Sequence, residues 1–174
     1  VILLADHFLL KYNKEMGKAT DKALDNSPFW MTGEVWAHGL GKDAYFTTGK
    51  FDSLINFSFP KDKNTSTIGT TWASYASALN NGADGYNVLS YLNSHDAREN
   101  YGWVTTDIAA GTCLLLSPGG VQIYYGDEVV RPLAGDMNYD KNQCTRSDYQ
   151  WSAQNTTVLA HWKKLGTFRK NHIA

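Results

Sequence analysis

Four short apolar runs, each passing into polar or acidic residues, alternate along this chain with stretches of helical periodicity. The runs are Phe29–Gly33 followed by Glu34, Phe51–Phe57, Tyr86–Leu92 followed by Asn93-Ser94-His95-Asp96, and Val121–Tyr125 closed by Gly126-Asp127-Glu128. Between them Trp72, Tyr75, Ala76 and Leu79 recur at the spacing of one helix face. Asp107 stands where it could cap a helix carrying Ile108, Thr112, Leu115 and Leu116, which Ser117-Pro118-Gly119-Gly120 would break. Val158, Trp162, Leu165 and Phe168 are expected to line one face of a last helix, and Leu4, Phe8, Leu9, Tyr12 and Met16 one of a first, over 1–21. Residues 37–50, 60–67 and 131–151 read as loops. Strands alternating with helices predict an α/β fold with a parallel sheet. In a barrel of this type, active sites lie at the C-terminal ends of the strands. Four strands cannot close an eight-stranded barrel. A nucleotide-binding open sheet lacks support, because no strand is followed by the phosphate-binding glycine fingerprint.

A chain of 174 residues is one domain or part of a larger one. Its formal net charge of −1, with no basic run, gives no argument for nucleic acid. No apolar run is long enough to span a membrane. Cys113 and Cys144 have no metal-ligand spacing, and two free thiols are the default reading. The chain begins at Val1 rather than Met, which reads as a gene product whose beginning is missing. Six Trp and ten Tyr suit either a Trp-rich core or a cleft in which flat rings stack on sugar faces.

Glu34 directly follows an apolar run ending in Gly33, with Trp36 beside it. A carboxyl desolvated by aromatic surface has a raised pKa, the state a general acid needs near neutral pH. The alternative is an ordinary solvated carboxylate at a strand end.

Three stretches together resemble the α-amylase family, glycoside hydrolase family 13. Phe29-Trp30-Met31-Thr32-Gly33-Glu34-Val35-Trp36 is similar to the family's fifth-strand motif, and Tyr91-Leu92-Asn93-Ser94-His95-Asp96 to its seventh, where Asn-His-Asp is the commoner ending. Gly120 to Glu128 is similar to the eighth strand and Phe51 to Phe57 to the sixth. Leu165 and Arg169 match the last barrel helix, and Thr145-Arg146-Ser147-Asp148 the bacterial periplasmic members.

The resemblance implies one partial domain over residues 1–174, strands five to eight of a (β/α)8 barrel, truncated on its N-terminal side. It implies retaining hydrolysis of α-1,4-glucan by a periplasmic or secreted protein that is monomeric at full length. Glu34 would be the general acid/base and Asp96 the carboxylate that stabilises the oxocarbenium-like state. His95, Arg146, Asp140 and Trp36 would contact sugar, although for Arg146 an ion pair with Asp148 or another acid is an equal reading. Asp127 and Glu128 are read as structural. His38 is a further cleft candidate, but residue type alone suggests a surface His and a packed Trp36.

The family's nucleophile, an Asp in a Gly-Phe-Arg-x-Asp pattern, is not found. Asp6 ends an apolar run but lacks the preceding Gly and Arg. Calcium is implied as a cofactor, with ligands outside this chain. The isolated chain is therefore expected to be inactive. The competing readings are a related transglycosylase, an α-1,6- or trehalose-type glucosidase, and a non-catalytic amylase-like binding or partner protein.

Overall fold

A computed structural model describes residues 30–80, 86–96, 103–134 and 144–172. The expected first helix, Asp6 and Asp140 lie outside them. Four strands, β1 (Thr32–Gly33), β2 (Ser53–Asn56), β3 (Asn87–Ser90) and β4 (Gly120–Val121), form one sheet in chain order. Every pairing is parallel. Helices fill the returns: α1 (Ala44–Thr47) and α2 (Phe59–Asp62) are single turns flanking β2, α3 (Ile68–Asn80) links β2 to β3, α4 (Ile108–Leu115) links β3 to β4, and α5 (Thr156–Asn171) closes the chain. This is the α/β arrangement expected for part of a barrel. No described helix is long and apolar enough to cross a membrane.

Several details depart from expectation, among them Trp30 and Met31, which precede the β1 ladder, and a 3-10 turn, Cys144–Arg146, within the loop expected over 131–151. The single turns α1 and α2 stand where loops were expected, since four residues carry no periodicity. Their signals are the Asp43 cap, whose Oδ1 accepts from Tyr45 N at 2.9 Å, and Pro60 at the start of α2. The fourth strand was expected over Val121–Tyr125, but its ladder ends at Val121 and Tyr124–Tyr125 leave the sheet.

Register decides which side chains face the helices. Asn56 pairs with Ser90 across β2 and β3, and Asn56 Nδ2 donates to Ser90 Oγ at 3.0 Å and to Tyr75 Oη of α3 at 3.1 Å. Tyr75 donates in turn to Asp62 Oδ2 at 2.7 Å. These strand residues are fully buried yet polar, and each has the partner that burial requires. Ile55 and Leu89, paired on the opposite face, are only half-buried.

The main core lies on the helix side, where Phe59, Tyr75, Leu92, Cys113, Leu114, Val158 and Trp162 pack together. The Asp107 cap is realised, Oδ1 accepting from Ala110 N at 2.8 Å. Of the expected face of α5, Val158 and Trp162 are buried and Leu165 packs against the core partly buried, whereas Phe168 is half exposed and stacks on His172. Arg169 instead reaches back to the end of α4, donating to Leu115 O at 3.1 Å, to Ser117 O at 2.8 Å and to Gly119 O.

The ends of β3 and β4 are tied by a buried amide. Asn93 Nδ2 donates to Asp127 Oδ1 at 2.9 Å and to Val104 O at 3.0 Å, and its Oδ1 accepts from Val104 N at 2.8 Å. Thr106 donates to Asp127 O at 2.6 Å. Asp127 Oδ2 is buried without a hydrogen-bond partner. Burial pushes this carboxyl up to about 7, with Glu128 adding to the rise and the Asn93 hydrogen bond, the Tyr124 backbone and Arg131 opposing it.

Gly111 is the contact point of α4 with α5, and a Cβ there would fall inside the Trp162 indole. Gly111→Ala should therefore cost about 1–3 kcal/mol through overpacking. Gly166→Ala, at a helical position with nothing within 4 Å of the added carbon, should instead raise stability by about 0.5–1 kcal/mol. Urea midpoints that move together would refute this packing.

A second prediction concerns pH. An ordinary aspartate titrates near 3.8 and folded Asp127 near 7, so between these values the folded state holds the extra proton. This group's contribution to stability is then full below about pH 4, declines as pH rises towards 7, and is flat above. Asp127→Asn keeps the acceptor for Asn93 without the titration. Its urea midpoint relative to wild type should rise between about pH 4 and 8; a pH-independent difference would mean that Asp127 is ionised in the fold throughout that range.

Candidate active site

Because the sheet is parallel, Glu34 after β1 and His95-Asp96 after β3 leave the same edge. Gly33 is glycine for want of space: a Cβ would lie 2.7 Å from the Phe51 ring and 2.9 Å from Leu54. Met31 N donates to Asp52 Oδ2 at 2.8 Å, which anchors the approach to Glu34. Beyond it, Ala37 adopts φ 60°, a left-handed conformation uncommon for a residue with a Cβ. His38 N donates to Val35 O at 3.0 Å across this turn, and His38 O accepts from Phe57 N at 2.8 Å.

Glu34 is exposed, so the aromatic desolvation suggested by its sequence neighbours is not built. Trp36 and His38 both reverse their residue-type expectations. Trp36 is 57% exposed, leaning on Phe57 at 5.6 Å between ring centroids. The His38 side chain is 7% exposed, with Nε2 3.4 Å from Asp43 Oδ2. The tight turn explains both, since it folds His38 under the loop and leaves the Trp36 ring outside. Phe57 meets Tyr91 edge-on at 6.0 Å, so an aromatic row runs from Trp36 to the end of β3.

His95, Asp96 and Arg146 are brought together. Asp96 Oδ2 lies 2.9 Å from His95 Nε2 and Oδ1 lies 3.9 Å from Arg146 Nη2. Asp96 N donates to Ser94 Oγ at 3.1 Å, so the serine of this motif orders the turn. All three side chains are a third or more exposed. Ion pairs in that setting contribute little to stability, which leaves their donors and acceptors free to exchange for hydroxyl groups of a ligand. Arg146 occupies a 3-10 turn, Cys144–Arg146, fixed to the β3 loop by Thr145 Oγ1, which donates to His95 O at 2.7 Å. Thr145 and Asn93 carry no catalytic signature in the sequence, and only the fold shows that they hold the site.

The calcium implied by the resemblance requires several oxygen ligands. Among the described residues no group of three or more His, Cys, Asp and Glu side chains could hold an ion. No step is derived through such an ion.

No protein-family model matches the sequence. The chain is 43% identical over 170 residues to the periplasmic alpha-amylase of Escherichia coli (strain K12), an alignment covering 92% of this chain and 24% of that protein. It thus spans about a quarter of that relative's length. The fold is similar to the alpha-amylase from H. orenii, with a TM-score of 0.59 at 19% identity over 94% of this chain and 40% of that one. It is likewise similar to an Anoxybacillus alpha-amylase, with a TM-score of 0.57 at 20% identity over 95% and 37%. In sequence the chain is thus similar to an α-amylase, and its fold, a parallel sheet crossed by helices, is similar to part of the barrel of solved α-amylases.

Proposed function

We propose that the chain supplies the acid/base side of a retaining α-1,4-glucan hydrolase acting in the periplasm or outside the cell. The observation that carries the reading is the Asp96 carboxylate held between His95 and Arg146 on the sheet edge from which Glu34 also emerges. Similarity to a periplasmic α-amylase supports the substrate class and the compartment.

Retaining hydrolysis uses two carboxyl groups about 5–5.5 Å apart, one protonating the leaving oxygen and one attacking the anomeric carbon. Glu34 is the acid/base. Its exposure leaves room for a glycosidic oxygen, and a glucan laid over it would supply the desolvation that the free protein lacks. Asp96 takes sugar hydroxyls in place of its present partners and opposes the positive charge of the transition state. His95 and Arg146 donate to the same sugar, Trp36 offers an exposed ring face to an adjoining one, and Asp140 is a further sugar contact. The nucleophile is not assigned to any residue of this chain, so the isolated 174-residue chain is inactive in this reading.

The test is reducing-end release from maltoheptaose by the protein as its own gene encodes it. Glu34→Gln should lower kcat by about 10²–10⁴, the range for loss of a general acid/base, and Asp96→Asn should lower kcat while leaving the fold intact by circular dichroism. Full activity in Glu34→Gln would remove Glu34 from the role. Activity in the isolated chain that Glu34→Gln abolishes would place the nucleophile within it.

A further inference from the structure

We infer that Arg131, buried behind the site, is a positioning residue that presents Arg146 to Asp96. The inference rests on the proposed function above for its kinetic readout, although its geometry is independent of that reading. Arg131 is 3% exposed. Its guanidinium lies over the rings of Tyr125, Trp103 and Tyr124, with the carbon 4.1, 5.2 and 5.3 Å from their centroids. Its hydrogen bonds go to backbone on both sides of Arg146: Nη2 donates to Thr145 O at 3.1 Å, and Nη1 donates to Ser147 O at 2.9 Å and to Ser147 Oγ. Nε donates to Tyr125 O at 2.9 Å.

The same two carbonyls are gripped a second time. Tyr124 donates to Thr145 O at 3.1 Å and Tyr125 to Ser147 O at 2.9 Å. Burial pushes the Tyr124 hydroxyl up to about 12, so it stays a donor over the working pH range. Arg146 is thus bracketed by neighbours whose orientation is set by one rigid fork and two phenols, while Thr145 carries the arrangement on to His95. Gly126 makes room for this, since at φ +87° a Cβ there would lie within 2.7 Å of the Arg131 stem.

Burying a charge to satisfy carbonyls is a poor route to stability, since apolar residues of similar volume serve as well or better. What a planar guanidinium adds is direction. Several donors in fixed relation hold two carbonyls at once, which the single ammonium of Lys cannot reproduce.

The experiment is a double-mutant cycle in the protein as its gene encodes it, combining Arg131→Lys with Arg146→Ala and measuring kcat/KM on maltoheptaose and the melting temperature. Misplacing a substrate contact by about an ångström can cost on the order of 10²-fold, so Arg131→Lys alone should lower kcat/KM by at least about tenfold. In the Arg146→Ala background the same change should cost less than about twofold, because its route of action is already gone. An equal loss in both backgrounds, or none in the first, overturns the proposal.

Should Arg131→Lys not fold, Tyr125→Phe loosens the same Ser147 carbonyl and should show the same non-additivity; additive losses overturn the proposal in that case as well. If the wild type has no activity on glucans, the functional reading fails separately. Crystal structures of wild type and Arg131→Lys, or of Tyr125→Phe in its place, then decide. Arg146 displaced from the Asp96 carboxylate upholds the positioning role, and Arg146 retained at its 3.9 Å separation overturns it.

Discussion

A parallel ladder sends every strand out of the same edge, and each return has to cross a face of the sheet. Here that constraint fixes nearly everything else. The matched register of β2 and β3, Ser53 to Asn56 against Asn87 to Ser90, turns Leu54, Asn56, Val88 and Ser90 towards the helices. The apolar members of that set need cover, and both are fully buried. The polar members need partners inside it, and Asn56 finds Tyr75 and Ser90. With the cover in place, residues as far apart in sequence as Glu34 and Asp96 leave the sheet on one side. Segregating a packed face from a chemical edge is what lets loops vary while the scaffold stays rigid.

How much of this can be read from the residues depends on the range of the interaction. Strand runs, the helix face of Trp72, Tyr75, Ala76 and Leu79, and the Asp107 cap are local patterns, and all three recur in the fold. The four-residue helices leave no such pattern. Nor does the early end of β4, where Tyr124 and Tyr125 leave the sheet to reach carbonyls in the Cys144–Arg146 region. The His95-Asp96 pair is legible because the motif is contiguous. Whether Arg146 paired with Asp148 or with a more distant acid was open on sequence, and the structure supplies Asp96. Arg131 was invisible because its acceptors are backbone carbonyls, which every residue possesses. Glu34 shows the opposite failure: its aromatic neighbours in sequence suggested burial, but a tight turn at Ala37 carries Trp36 outward with it.

The site is built in two electrostatic layers of different character. The outer layer, His95, Asp96 and Arg146, is solvated, so its mutual attractions are weak and can be exchanged for ligand contacts at little cost. The inner layer, Arg131, Asp127 and Asn93, is buried, where an unmade hydrogen bond is expensive and satisfied groups hold a single arrangement. Asn93 fixes the chain three residues before Asp96, while Arg131 fixes the residues flanking Arg146, so each member of the outer pair is aimed from beneath by a different buried group.

Asp127 is the weak point of that inner layer, and its weakness follows from geometry. One carboxylate oxygen has the Asn93 amide, whereas the other is sealed away without a donor. A proton on that second oxygen removes the buried charge, which is why burial moves the group towards neutrality despite the opposing pull of Arg131. An asparagine would avoid the difficulty yet retain the acceptor for Asn93. The carboxylate differs from it in one respect: once ionised, it offsets the buried guanidinium, which otherwise rests on carbonyl dipoles, the Ser147 hydroxyl and ring faces. The two unusual groups therefore make more sense together than apart. Each is poorly solvated alone, and each lies close enough to reduce the other's cost.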